Sequence, residues 1–282
     1  MDSATRFNKY HHIYLTLIGV IMVYPILWMV IASLTPSHEI FLTGRFLPST
    51  IQWSNYTEAL SAKANYSLLD FLLNTFILEF FVISGTIIST SLVGFGFARV
   101  PFPFKKILFT ILIGSLLLPQ TITLIPRYIL FSKLKWINSY LPFVIPSFLA
   151  SGIGGTFFIF LVNQFIRSIP LELDDSAMID GCSRFQIYLK IILPLSKTVL
   201  ITVALFSFIW TWDDFQNQLI FINDVAKFTI SLGLRMTIDT TELMSWGPIL
   251  AACSIALLPS LSVFLMAQKY FVEGIATTGI KR

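Results

Sequence analysis

The segment Arg167–Lys197, RSIPLELDDSAMIDGCSRFQIYLKIILPLSK, is the longest charged stretch of a very apolar chain, and its residue types suit gripping rather than bond breaking. Glu172, Asp174 and Asp175 favour the positive end of a short helix whose first turn accepts Pro170, and Gly181 can supply a left-handed stop. Ser183 with Gln186 forms a capping box for a second helix, in which Phe185, Tyr188, Ile191 and Ile192 recur at helical spacing until Pro194 ends the run. The spacing predicts a helix, a glycine turn and a helix. Such a unit serves either as a rigid handle for another protein or as an ordinary solvated loop.

Two further groups hold polar chemistry inside apolar surroundings. Glu79 is an isolated carboxylate in a long apolar run, and an ionisable group at membrane depth is a functional candidate by default. Only about 15 Å of helix separates it from Asp70, however, so a place near the lipid headgroups is the competing reading. Asp213 and Asp214 stand among Trp210, Trp212, Gln216 and Asn217, the mixture of flat rings and hydrogen-bonding groups that a sugar path uses. An interfacial anchor with its aromatic belt has the same composition. The uncharged run before Asp213 is about 22 Å long as helix, which puts this group toward the outer half of a membrane.

Other chemistry finds no support. The chain has no G-x-x-x-x-G-K-[ST] phosphate cradle, so any ATP that drives it is bound elsewhere. His11, His12 and His38 lack metal-ligand spacing, and Cys182 and Cys253 are far apart with no ligand partners nearby. No nucleophile elbow or paired acid and base argues for an enzyme, and no metal or cofactor is expected.

The elements that position these groups are membrane helices. Of 282 residues, 55% are hydrophobic and 12% charged, about half the charge of an ordinary soluble domain. Six apolar stretches, at 13–33, 71–98, 107–125, 141–166, 199–222 and 244–267, are each long enough to cross about 30 Å of hydrocarbon. The first is expected to be an uncleaved span, because no small-x-small site closes it. The prolines at 25, 119, 126, 146 and 259 are expected to be structural, and the glycines at 152, 154 and 155 to allow close helix approach. Six spans put the start (1–12), the elbow (167–197) and the tail (271–282) on one face. That face carries twelve of the 19 Lys and Arg and the other seven, which places it in the cytoplasm. The net charge of +4 is thus an orientation signal rather than a mark of nucleic-acid binding.

Asp175-Ser176-Ala177, three residues on to Gly181, then Ile191-Ile192-Leu193-Pro194, resembles the EAA loop of ATP-binding-cassette importer permeases (E-A-A, three residues, G, nine residues, I-x-L-P). Asp stands for Glu at 175 and Ser for Ala at 176. Ile179-Asp180-Gly181, Trp212-Asp213-Asp214-Phe215 and Gln268-Lys269-Tyr270-Phe271-Val272-Glu273-Gly274 resemble the second permease subunit of maltose-type carbohydrate importers, a likeness that covers nearly all of the chain. The resemblance implies an all-α polytopic membrane protein of the type I importer fold, with a six-helix domain at 13–270 and a cytoplasmic helix-turn-helix coupling loop. It implies Glu172, Asp175, Ser176, Ala177, Asp180, Gly181, Phe185, Leu193 and Pro194 as the surface that enters a cleft in the ATPase. The implied partners are a homologous permease, two cytoplasmic ATP-binding subunits and an extracytoplasmic solute-binding protein in a bacterial cell membrane. The implied cargo is an oligosaccharide, and the candidates for its path, from residue types alone, are Glu79, Trp210, Trp212, Asp213, Asp214 and Asn217. An ion-coupled secondary transporter using Glu79 or the Asp213–Asp214 pair is the alternative.

Overall fold

In lipid a backbone must satisfy its own hydrogen bonds, so long uncharged stretches have helix as their stable form. The computed structural model describes residues 2–41, 46–61, 66–240 and 245–279, and all the regular elements among them are helices. They are α1 (Asp2–Ser33), α2 (Ser54–Leu60), α3 (Leu68–Arg99), α4 (Lys105–Ser115), α5 (Gln120–Lys133), α6 (Leu141–Phe148) and α7 (Gly155–Ser168). Then follow α8 (Glu172–Ile179), α9 (Arg184–Leu195), α10 (Lys197–Trp212), α11 (Phe215–Phe221), α12 (Ile230–Thr240) and α13 (Trp246–Gly279).

Three stretches, His11–Ser33, Leu68–Arg99 and Trp246–Gln268, are long and apolar enough to cross a membrane alone, and two bent pairs, α7 with α8 and α9 with α10, pass together. The expected third span is split. Pro119 is extended at the start of α5, whereas Pro126 lies inside that helix rather than ending it, since neighbouring groups in a helical membrane protein accommodate the missing donor. The fourth span is likewise two helices, parted before Gly155, and the fifth breaks at Asp213–Asp214. Residues 271–279 of the tail continue α13 as helix; Met244, the expected start of the sixth span, and residues 280–282 lie outside the described residues.

The chain divides into two units, Met1–Leu69 with Gly233–Leu258, and Asp70–Leu232 with Pro259–Arg282. In the first, buried Asn55 donates to the carbonyls of Ser33 (2.9 Å) and Thr35 (3.1 Å), closing the end of α1. The remaining length of α1 exposes Ile13, Leu17, Val20 and Met22, a surface suited to lipid.

The second unit holds every candidate site. One core gathers Phe95 of α3, Phe158 and Val162 of α7, Ala177, Tyr188 and Ile192 of the elbow. Another joins Leu78 and Val82 of α3 to Phe131, Phe143 and Phe221. Helix α3 therefore touches both, and it is unbroken. Near one end Asn74 donates to the carbonyls of Ala226 (2.9 Å) and Phe228 (3.0 Å), and Thr75 accepts from the Ile230 amide at 2.8 Å.

Candidate functional site

The elbow is built from backbone upward. Gly181 has φ +82°, the left-handed conformation that its lack of a Cβ permits. Its amide donates to Met178 O (3.1 Å) and that of Cys182 to Ala177 O (2.9 Å), the double closure that satisfies the last carbonyls of α8. Two residues later the capping box forms as expected: Ser183 N donates to Gln186 Oε1 at 2.7 Å, and Gln186 N to Ser183 Oγ at 3.3 Å. Both helices turn sharply from the membrane helices beside them, α8 by 74° from α7 and α9 by 75° from α10.

Two local expectations need correction. Pro170 precedes the helix, which begins at Glu172. Pro194 does not stop α9 either: a wide π turn at Tyr188–Ile192 lies immediately upstream, and helix continues through Leu195. A turn with i→i+5 bonding takes up the mismatch left by the proline's missing donor.

Of the nine predicted coupling residues, Glu172, Asp175, Ser176, Asp180, Gly181, Phe185 and Pro194 are exposed, while Ala177 is buried under the elbow and Leu193 packs half-buried against the same core. The structure adds apolar residues that the motif did not single out: Ile179 is 86% exposed, with Leu171 and Met178 also bare, beside Phe185 at 60%. A preformed polar unit with protruding apolar side chains is a docking surface in composition. Their signal in the sequence was only an apolar residue on a segment otherwise read as polar.

Arg99 and Asp174 were also missed as a pair. Arg99 Nε lies 3.2 Å from Asp174 Oδ2, with both side chains nearly buried. Burial pushes the Asp174 carboxyl above the ordinary carboxylate range; Arg99 opposes this most, Asp175 adds to it and Arg184 opposes it. The partners are 75 residues apart, so spacing could not reveal them.

The second candidate group lies at the α10–α11 break. Asp214 caps α11, its Oδ1 accepting from Asn217 N (3.1 Å) and Nδ2 (2.8 Å). Ile153, Trp210, Asp213, Asp214 and Asn217 line an open cleft of about 330 Å³. Trp210 offers little more than an edge to it, being stacked on Phe158 with centroids 5.2 Å apart. Trp212 is a correction. It is 5% exposed, stacks on Phe208 and meets Phe76, so it is core, not cleft wall, and Gln216 is not among the lining residues. Arg127, overlooked in the sequence, attracts Asp214 and lies over the rings of Phe131 and Phe221, bringing one positive charge to an acidic neighbourhood.

Glu79 is 2% exposed, and neither carboxyl oxygen has a hydrogen-bond partner among the described residues. It is thus buried among the helices of its unit, with Asp213 the charged neighbour that acts on it. An unsatisfied buried carboxyl costs free energy. Glu79→Leu is therefore expected to stabilise the solubilised protein by about 1–3 kcal/mol, seen as a raised midpoint of thermal unfolding; a lowered midpoint would show that the carboxyl is satisfied in the assembled protein.

A polytopic helical membrane protein with an exposed, prefabricated elbow is the class these features define. Comparison with known proteins makes it specific. Residues 90–276 match the model of the binding-protein-dependent transport system inner membrane component, and the chain belongs to that family. It is 31% identical over 95% of its length to the "Probable ABC transporter permease protein YurM" of Bacillus subtilis, covering 87% of that protein. It is 26% identical to the arabinooligosaccharides transport system permease protein AraQ of the same organism, over 95% of this chain and 94% of that one. The fold matches a chain of the crystal structure of a bacterial ABC transporter involved in the import of the acidic polysaccharide alginate, with a TM-score of 0.83 at 19% identity, over 96% of this chain and 98% of the other.

Proposed function

We propose that this chain is one of two permease subunits of an ATP-driven importer of oligosaccharides, with its elbow seated in a cytoplasmic ATPase. The observation that carries the reading is the elbow itself. A unit closed at its turn, capped at its restart and bent away from the membrane helices at both ends is stiff enough to pass on a small motor movement. Glu172, Asp175, Ser176, Asp180, Gly181 and Phe185 form its outer face, with Ile179 joining them and Ala177 and Leu193 holding it from beneath. ATP binding and hydrolysis belong to separate chains. The charge bias supports both termini and the elbow in the cytoplasm.

The oligosaccharide is supported by the likeness to the AraQ permease. It arrives from an extracytoplasmic binding protein and crosses between this chain and a homologous permease, with Asp213, Asp214, Asn217 and the edge of Trp210 on this chain's share of the path.

A second reading rests on one observation, the buried unpartnered carboxyl of Glu79, which an ion-coupled transporter would use. Uptake of the native solute by cells separates the two. Depleting ATP while holding the ion gradient is expected to abolish uptake, and a protonophore with ATP maintained is expected to leave it; the reverse pattern would overturn the importer.

A further inference from the structure

Resting on the elbow as the motor's grip, we infer that Arg99 is the positioning residue that fastens the elbow to α3, making that helix the rod which carries motor movement across the membrane. Arg99 is the last residue of α3 and holds both sides of the elbow's start. Its Nε pairs with Asp174 of α8 at 3.2 Å, and its Nη2 donates to Ile169 O at 2.6 Å, in the linker between α7 and α8. The restart is tied to the same residue, since Arg184 Nη1 of α9 donates to Arg99 O at 3.2 Å. Two turns back along α3, the hydroxyls of Ser91 and Tyr188 lie 2.7 Å apart, and Phe95 packs on the Tyr188 ring at 5.2 Å. Tyr188 begins the wide turn of α9, an irregularity that aims this ring at α3.

Both elbow helices are thus pinned to one end of one helix. A guanidinium suits the task because one group supplies both the charge that faces Asp174 and the Nη2 donor that Ile169 O accepts, two contacts that a compact ammonium does not span. From that end α3 runs unbroken for about 37 Å to Asn74, whose amide holds the Ala226 and Phe228 carbonyls beyond the cleft. By contrast α4 and α5, α6 and α7, and α10 and α11 are interrupted pairs. A displacement of the elbow therefore has a continuous path along α3 that it lacks along those neighbours.

The test uses the assembled complex purified from its membrane and reconstituted in lipid nanodiscs, with MgATP and vanadate as the probes. A spin label on Leu73→Cys, an exposed position at the far end of α3, in a background carrying Cys182→Ser and Cys253→Ser so that no native thiol is labelled, reports whether that end responds to the nucleotide state. Wild type is expected to change its spectrum on vanadate trapping. R99Q is expected to lose at least about tenfold of that change while ATP hydrolysis stays within about twofold of wild type, since the coupling and not the motor is lost. R99Q combined with D174N, two amides of similar shape with no stranded charge, is expected to regain most of the response. If R99Q fails to assemble, D174N alone and the double variant carry the same comparison.

A full-size response in R99Q, or hydrolysis and response lost together in the double variant, would overturn the inference. A wild-type preparation that contains no ATPase overturns the elbow reading itself, and this inference with it. ATPase present with R99Q responding like wild type overturns this inference alone.

Discussion

Gly181→Trp is expected to abolish ATP-dependent uptake while leaving the membrane domain folded. The backbone cost is modest, because a left-handed residue with a side chain loses about 1–2 kcal/mol. Space is not the difficulty: a Cβ at Gly181 meets nothing within 4 Å, so the indole projects outward from the turn. It projects into the face that Asp175, Asp180, Ile179 and Phe185 present. A bulky obstruction at the centre of such a contact costs about 2–4 kcal/mol, or roughly 30- to 1,000-fold in affinity. Uptake and thermal unfolding measured on the same preparations check this. Gly181→Ala is the control, bearing the backbone cost without the obstruction, and is expected to keep uptake within about threefold. Equal losses in both variants would mean that the glycine serves only its own turn.

Gly154→Ala is expected to have the opposite character, with damage to the fold and not to docking. Gly154 has φ +72°, and a Cβ there would lie 2.2 Å from Trp210 Cζ3 and 2.6 Å from Cε3. That ring cannot swing aside freely, because Phe157, Phe158 and Phe206 pack around it. Backbone strain and overpacking together predict a loss of about 2–5 kcal/mol, read as a fall in unfolding midpoint and in yield. Adding Trp210→Leu removes the clash and is expected to recover part of the loss; a double variant worse than the sum of the two singles would show that the ring is not the obstacle.

The contrast between these glycines shows what the sequence carried and what it withheld. The elbow was legible to the residue at Gly181, Ser183 and Gln186, because caps and turns are written in residue types within a few positions. That the chain is helical was equally plain from uncharged runs, whereas the breaks inside the expected third and fourth spans were not. Gly152, Gly154 and Gly155 were read as a surface for close approach, and what lies against Gly154 is Trp210, which is remote in sequence. Pro194 misled because its effect is absorbed by a wide turn that no residue type announces. Trp212 shared its composition with a solute path, yet its burial takes Phe76, which is remote in sequence, besides Phe208 one turn back on its own helix. The Arg99–Asp174 ion pair and the nearness of Arg127's charge to Asp214 belong to the folded chain alone.

The central claim is that this chain transports only as part of an assembly whose motor holds the elbow. The most direct test is to purify the chain by affinity tag from its native membrane in mild detergent and identify what accompanies it. The account predicts an ATPase and a second, homologous permease in amounts comparable to the chain, with the ATPase lost and the permease retained when Gly181→Trp is purified in the same way. A chain that emerges alone and still moves solute after reconstitution would contradict it.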